Sequence, residues 1–569
     1  MTQIQQSKLL SEILDFCRHV AGANQIIAAC VCGDYALGLS DAKSLVETLL
    51  VVNGFQPKLM NYLKAFGERS VVVLVVDQGV FEMDVERGFL GEAVAGSLLF
   101  PYIALANGDY LHFQEVKLKK RLILELLENL VLAFPELSYE LHIKPEYFLY
   151  ETILSRARLF PPMLYDVFNF IRKDVKKKNV ESSLRGFLEA LKDLEGENIV
   201  NFSDGYVKIS REFVDKAKSQ KVRFTSLFKT AQRALFTSLL GIFPKTLSFL
   251  SQNREALFKL QRFSRENSER VHQIEEPQKY LYVPTASGLV PLASKIDVET
   301  FARKVLCAGA DAKVEAEEVG GVLNDVYLVK ALVNGVEKRV VVKSFRDWSS
   351  FKWFPLTLWT FGTRTFAVLG LSRLERECAI SQLLHSKGFA VPKILHVSHS
   401  ERLIFMEYIE GESLSKVVKR ILGSKNADSV KKDLEVIRRV GGEFAKIHAL
   451  GIALGDTKPE NIIVGKNGEI YILDFEQASR NGDKVWDVAE FLYYSGHYIS
   501  PFVGVRPAQL IAEAFIEGYL RAGGNIKTVK EAGNPKYTKV FSVFTLPHVM
   551  FVVSNTCRKA EKLKGINHG

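Results

Sequence analysis

Apolar and polar residues change their rhythm several times along this chain, and each rhythm predicts a different kind of element. Up to about residue 110, helix-like stretches alternate with short β-branched runs. QIIAACVCG (25–33), SLVETLLVV (44–52), RSVVVLVVD (69–77) and VFEMDVE (80–86) all read as strands. A small α/β domain is therefore expected over 1–110. Between 111 and 275 the period lengthens to that of helices in KRLILELLENLVLAF, YFLYETILSRARLF and VESSLRGFLEALKDL, which predicts a mainly helical domain. Within it, Asp204-Gly205 separates two β-like runs and predicts a tight hairpin. Helices followed by such a hairpin suit a winged-helix module, although plain packing domains share the pattern. Residues 216–275 are basic and amphipathic, and 276–292, with their prolines, read as a connector. From 293 onward strands come first and long helices follow. The fold class expected is α+β and multidomain.

Composition narrows this picture. The 569 residues exceed one ordinary core, and 47% hydrophobic with 25% charged residues marks a folded globular chain. The six cysteines (Cys17, Cys30, Cys32, Cys307, Cys378 and Cys557) include no C-x-x-C. That spacing argues against a zinc site or a disulfide framework and suits a reducing, cytoplasmic compartment. The N-terminus lacks the apolar core of a signal peptide, and no run of eighteen uncharged apolar residues occurs. A net charge of +10 permits a nucleotide, RNA or lipid surface as partner, while a solvated surface is the plainer reading.

The chemistry concentrates in GDTKPENIIV (455–464) and the YILDFE that follows. NIIV and IYILDF read as paired strands joined by the turn Lys466-Asn467-Gly468. Such a hairpin holds the loop before it and the loop after it on one edge, so Asp456, Lys458, Asn461 and Asp474 are expected to converge. Phosphoryl transfer needs that set. One carboxylate orients or deprotonates the attacking hydroxyl, a second carboxylate and a neutral oxygen hold Mg²⁺, and a cation steadies the developing charge.

At these residues the chain resembles protein kinases. D-T-K-P-E-N differs by one residue from the D-L-K-P-E-N of serine/threonine kinase catalytic loops. The steps of five residues from Asp456 to Asn461 and thirteen from Asn461 to Asp474 match that family. The resemblance implies a two-lobed kinase-like fold over 293–569, with lobes of about 293–405 and 410–569. It implies ATP and Mg²⁺ as cofactors, Asp456 as catalytic base, Lys458 as the phosphate-side cation, and Asn461 and Asp474 as metal ligands. Upstream, KVEAEEVGGVLNDVYLVKALV supplies the glycine hairpin: the pattern G-x-G-x-x-G-x-V maps to Val319, Gly321, Asn324 and Val326. Lys343, ending a β-branched run seventeen residues after Val326, is the implied α,β-phosphate lysine. Glu377 is its implied partner, with Glu375 as the alternative. Met406, Glu407, Tyr408 and Ile409 resemble the hinge whose backbone meets adenine.

Departures from the pattern shape the expectation. Leu454-Gly455-Asp456 stands where H-R-D is usual, and Asp474-Phe475-Glu476 where D-F-G is usual. Glu476 adds a third carboxylate that either assists the metal or faces solvent. Thirteen residues separate Asp474 from Asp487, which resembles the aspartate opening a kinase's central helix. That leaves little room for a peptide-docking segment and resembles atypical kinases: the KEOPS-type kinase, RIO kinases and lipopolysaccharide-core sugar kinases. The acceptor implied is a protein serine or threonine, or a small hydroxyl compound; a pseudokinase scaffold binding nucleotide or RNA is the rival. The aromatic insert 345–371, with Trp348, Trp353 and Trp359, and the segment 226–250 suit a membrane-peripheral or docking surface as well as internal packing. RKDVKKKNV (172–180) reads as a solvated basic run, with nucleic-acid contact as the minority reading.

At the N-terminus, VCGDYALGLSDAKSLVETLLVV resembles the nucleotidyltransferase signature. Gly33 and Gly38 bracket its turn, and Asp34 stands in the place of the serine. Leu45 and Glu47 occupy the two metal positions, and Asp84 stands for the third carboxylate. A leucine cannot ligate a metal, so the resemblance implies a degenerate nucleotidyltransferase-like domain serving as a binding or regulatory module.

Overall fold

The computed structural model describes residues 3–39, 45–67, 69–159, 163–218, 276–286, 288–294, 301, 314–318, 325–333, 336–345, 370–424, 426–499, 504–542 and 545–564. The chain divides into two compact units, 1–282 and 283–569. Among the described residues no helix is long and apolar enough to cross a membrane. The segment 226–250, almost all of the aromatic insert and Gly321 lie outside them.

The first unit opens with α1 (Gln3–Ala21), β1 (Ile26–Cys32), the single-turn α2 (Gly33–Ala36), β2 (Val46–Val52), β3 (Leu59–Phe66) and β4 (Arg69–Asp77). Next come α3 (Gln78–Arg87), β5 (Ile103–Ala106) and α4 (Gly108–Ala133). The sheet order is β3-β4-β2-β1-β5, with β2 and β4 parallel and the other neighbours antiparallel. Its three central strands are apolar on both faces because both faces are covered. Ala29, Val31, Leu50, Val71, Val73 and Val75 pack under α1 through Ile13, Phe16 and Cys17. Ala28, Cys30, Leu49, Val51 and Val76 pack under α3 and α4 through Phe81, Val85, Leu111 and Leu118. The edge strand β3 escaped the sequence reading. It exposes most of its residues, so its apolar positions do not alternate.

VFEMDVE is a helix and not a strand. Phe81, Asp84 and Val85 are its buried face, at helical spacing, and Asp77 caps it by accepting from the Gly79 amide at 3.2 Å. Asp84 is accordingly no metal ligand. Its Oδ1 accepts from the amides of Leu90 (2.8 Å) and Glu92 (3.0 Å), and its Oδ2 from Val94 (3.2 Å) and Ala95 (2.9 Å). One buried carboxylate therefore orders the whole connection after α3.

The unit continues with β6 (His142–Ile143), α5 (Glu146–Leu159), α6 (Met163–Phe170), α7 (Lys176–Gly196), β7 (Val200–Ser203), β8 (Tyr206–Ile209) and α8 (Arg211–Ala217). β7 and β8 form the expected hairpin. Asp204 (φ +52°) and Gly205 (φ +78°) both sit in the left-handed region that a two-residue turn needs. Ile143 pairs with Val207 on one side and Leu281 on the other.

In the second unit, β9 (Leu281–Thr285, which begins before the boundary) and β10 (Gly288–Pro291) precede β11 (Val314–Glu318), β12 (Asp325–Val333) and β13 (Val336–Ser344). After α9 (Gly370–Ser386) come β14 (Ile394–Ser398) and β15 (Leu403–Glu407). β11 to β15 form an antiparallel sheet in the order β11-β12-β13-β15-β14, whereas β9 and β10 extend the sheet of β6, β8 and β7. The remainder is mostly helical: β16 (Gly411–Ser413), α10 (Leu414–Gly423), α11 (Ala427–Ala449), β17 (Ile452–Ala453), β18 (Ile462–Gly465), β19 (Ile470–Ile472) and β20 (Ser479–Arg480). α12 (Lys484–His497), α13 (Arg506–Arg521), α14 (Ile526–Ala532), α15 (Pro535–Phe541), α16 (Pro547–Arg558) and α17 (Glu561–Lys564) complete it. Phe444, Phe491 and Phe515 lock the centre of this core, with Phe491 and Phe515 stacked at 4.5 Å. α11 and α13 touch backbone to backbone. A Cβ at Gly441 would lie 2.2 Å from Phe515 O, and one at Gly518 would lie 1.9 Å from Arg438 O.

Two outcomes follow from this packing. Gly518→Ala is expected to destabilise the protein: overpacking costs about 1–3 kcal/mol, against a helix-propensity gain of about 1 kcal/mol. Gly442→Ala, whose Cβ would meet nothing nearer than 3.8 Å, should be tolerated. Equal melting temperatures for the two variants would contradict the close approach. Asp84→Ala leaves four buried amides without acceptors and should cost at least about 3 kcal/mol in denaturant unfolding of the first unit. Wild-type stability would show that those amides find other partners.

Candidate active site

β13 is paired on both sides, and its ladder sets Lys343 between Val326 and Ile404. The run before it, Val340 and Val342, is buried, and by the two-residue period of a strand it fixes which face Lys343 joins. The Lys343 Nζ stands 3.2 Å from Glu377 Oε1 and 3.1 Å from Asp474 Oδ1. Burial opposes its charge, but Asp474, Glu377 and Glu476 outweigh that and hold the ammonium pKa above the usual lysine value. The group is therefore charged throughout the neutral range. The expected Lys343–Glu377 pair is present, and Glu375 is not the partner. Glu377 Oε2 accepts from the Phe475 amide at 2.8 Å.

The loop carrying Asp456 is held from α12. Asp487 accepts from the amides of Leu454 (2.6 Å) and Gly455 (2.7 Å) and from His448 Nε2 (3.0 Å). His448 Nδ1 in turn meets the Tyr519 hydroxyl at 2.8 Å. Glu490, one turn after Asp487, accepts from the Thr457 amide at 2.8 Å. Gly451 (φ +81°) and Gly455 (φ +88°) supply the left-handed turns at each end of β17. With the backbone fixed on both sides of it, Asp456 carries Lys458 Nζ at 3.0 Å from Oδ1 and 3.2 Å from Oδ2. Burial again opposes the lysine charge, and Asp456 with Glu490 more than restores it.

The hairpin predicted from Lys466-Asn467-Gly468 joins the two halves of the site. Ile462 pairs with Ile472, and beyond that rung the Leu473 amide donates to Asn461 O at 2.8 Å. Asn461 Nδ2 donates to Asp456 O at 3.1 Å, which leaves its Oδ1 as an oxygen donor. Asp474 sits at φ +66° and uses Oδ1 toward Lys343. Among the described residues no group of three or more His, Cys, Asp or Glu side chains gathers as a metal site. One carboxylate and one amide oxygen suit Mg²⁺ completed by ligand phosphates and water, which is the way this ion usually binds.

One expectation changes. Glu476 neither joins a metal set nor faces solvent: it is buried and ion-paired with the fully buried Arg373 at 3.3 Å. Glu407 donates its amide to Lys393 O at 2.9 Å and accepts the Lys393 amide on Oε2 at 3.3 Å, so its amide is not offered to a ligand. Tyr408 stacks under Arg339, whose guanidinium lies 5.6 Å from its ring centroid. His448, Glu490 and Arg373 were missed in the sequence. Only Arg373 carried a local signal, standing four residues before Glu377 on one helix face. In the first unit Gly33 (φ +65°) and Gly38 (φ +81°) are left-handed, and Asp34 accepts from Asn169 Nδ2 at 2.8 Å.

Comparison with known proteins finds kinase-like sequences. The ABC1 atypical kinase-like domain matches residues 375–494. The KEOPS complex subunit Bud32 of Pyrococcus abyssi is 33% identical over 103 residues, which is 18% of this chain and 43% of that protein. The probable serine/threonine-protein kinase BUD32 homolog of Archaeoglobus fulgidus is 31% identical over 165 residues, 29% of this chain and 74% of its own length. The probable serine/threonine-protein kinase PknB of Lactococcus lactis is 25% identical over 139 residues, 23% of this chain and 21% of that protein. The chain thus spans less than half of the Pyrococcus protein. Through its C-terminal half, the chain belongs to the atypical protein-kinase-like family that includes the Bud32-type kinases.

Proposed function

We propose that residues 293–569 form a two-lobed, ATP-dependent phosphotransferase of atypical serine/threonine protein-kinase type. The observation that carries this reading is the meeting of Glu377 and Asp474 on the Lys343 ammonium, within 3.2 Å, beside an Asp456 loop tied to the same hairpin. In this reading Lys343 holds the α- and β-phosphates of ATP. Val326 and Gly321 contribute to nucleotide binding, and the carbonyl of Glu407 with the backbone of Tyr408 and Ile409 meets the adenine edge. Asn461 Oδ1 and Asp474 would hold Mg²⁺, which supplies neutralisation of the β- and γ-phosphate oxygens. Asp456 orients the acceptor hydroxyl and takes its proton. As the acceptor oxygen bonds to the γ-phosphorus, the bond from that phosphorus to the bridging oxygen breaks, and its electron pair leaves with ADP. Lys458, held on the Asp456 carboxylate, steadies charge on the transferring group.

The acceptor of this reading is a protein serine or threonine. A small hydroxyl compound is the second reading, and one observation favours it. Ala453 pairs with Ser479, so the chain after Asp474 folds back on the Asp456 loop and reaches α12 at Lys484 without forming a long docking strand. For residues 1–110 we propose a nucleotidyltransferase-like fold kept as a binding module; the left-handed Gly33 and Gly38 support the turn.

Asp456→Asn should lower phosphoryl transfer by about 10²- to 10⁴-fold while leaving MgATP affinity within about twofold. Lys343→Met should weaken both. Labelled ATP, followed by mass analysis of which molecule gains phosphate in lysate, reads the transfer and identifies the acceptor as protein or small compound. Full transfer by Asp456→Asn would end the proposal.

A further inference from the structure

Arg373 and Glu476 take no part in the chemistry above, yet both are buried charged side chains at the heart of the site. Arg373 precedes Glu377 by one helical turn on α9, so the two leave the same face. Its guanidinium lies 3.3 and 3.5 Å from the two Glu476 oxygens and 6.0 Å from the Phe345 ring centroid. Glu377 meanwhile takes the Phe475 amide at 2.8 Å and the Lys343 ammonium at 3.2 Å. Three consecutive residues are thus gripped: Asp474 by Lys343, Phe475 by Glu377, and Glu476 by Arg373. Asp474 needs that grip, because a non-glycine residue at φ +66° persists only where its surroundings impose the conformation. Where the kinase pattern has a mobile glycine, this chain has a side chain anchored in a helix.

We propose that the Arg373–Glu476 ion pair is a built-in latch that holds Asp474 against Lys343, so that the site stands assembled without modification of the chain. Both are positioning residues and neither touches the nucleotide. The proposal rests on the phosphotransferase reading. A purely structural pair makes a different prediction: replacing both members of a buried ion pair by apolar residues of similar size restores or even improves folding. Under that alternative the double substitution would restore binding as well.

The test uses the full chain with ATP and free Mg²⁺ as probes, comparing Arg373→Met, Glu476→Met, the double variant and Arg373→Lys. Calorimetry of ATP binding across a Mg²⁺ titration, melting temperature, and deuterium uptake over 473–478 are the readouts. Each single Met variant should melt lower, and the double variant should recover its melting temperature. The double variant should nevertheless exchange faster over that segment and need about 10- to 100-fold more Mg²⁺ for half-saturation. Arg373→Lys, which keeps the charge pair, should recover part of the Mg²⁺ affinity. A double variant with wild-type exchange and Mg²⁺ dependence overturns the latch. Failure of the wild-type protein to bind MgATP would instead overturn the phosphotransferase reading, and the latch with it, before any substitution is compared.

Discussion

A lysine ammonium enclosed by carboxylates is the interaction on which the C-terminal unit depends. Lys343 comes from the end of β13, Glu377 from the middle of α9 and Asp474 from the residues just after β19. Buried charges are costly to desolvate, and removing one member of such a set strands the others, at about 3–5 kcal/mol. The strand, the helix and the hairpin must therefore be placed correctly together. A hydrophobic contact at this point would tolerate sliding by a residue. An ammonium between two carboxylates does not.

A second device recurs in both units: a helix-borne carboxylate collects the amides of a loop that has no regular partners. Asp487 does this for Leu454 and Gly455, Glu490 for Thr457, and Asp84 for four amides between Leu90 and Ala95. Buried amides require acceptors, and an irregular loop cannot supply them itself. In the second unit the loop so ordered presents Asp456 and Lys458. In the first unit the connection so ordered carries Glu92, whose buried carboxylate pairs with Arg121 at 2.8 Å and accepts from Arg156 Nε at 2.6 Å.

The match to the ABC1 kinase-like domain covers 375–494, so it contains Glu377, Asp456, Asn461, Asp474 and Asp487 but not Lys343. The structure joins Lys343 to the rest through its contacts with Glu377 and Asp474. The replacement of the usual H-R-D by Leu454-Gly455-Asp456 also becomes intelligible in it. An imidazole does reach Asp487, from His448 on α11, six residues before the place of the usual histidine.

The amino-acid sequence by itself determined the features whose partners are near in the chain. The five- and thirteen-residue steps from Asp456 to Asp474, the Asn467-Gly468 and Asp204-Gly205 turns, and the apolar strands of the first sheet were all legible, because turns and ladders impose short, fixed spacings. Lys343 and Glu377 were paired correctly only through the order of parts in a family resemblance. Tertiary structure decided the rest. Glu476 met Arg373 from 103 positions away, Asp84 turned from a candidate metal ligand into a loop anchor, and Glu407 gave its amide and Oε2 to Lys393. A carboxylate's spacing shows where it stands along the chain. Whether it meets a cation, an amide or water depends on which distant element folds against it.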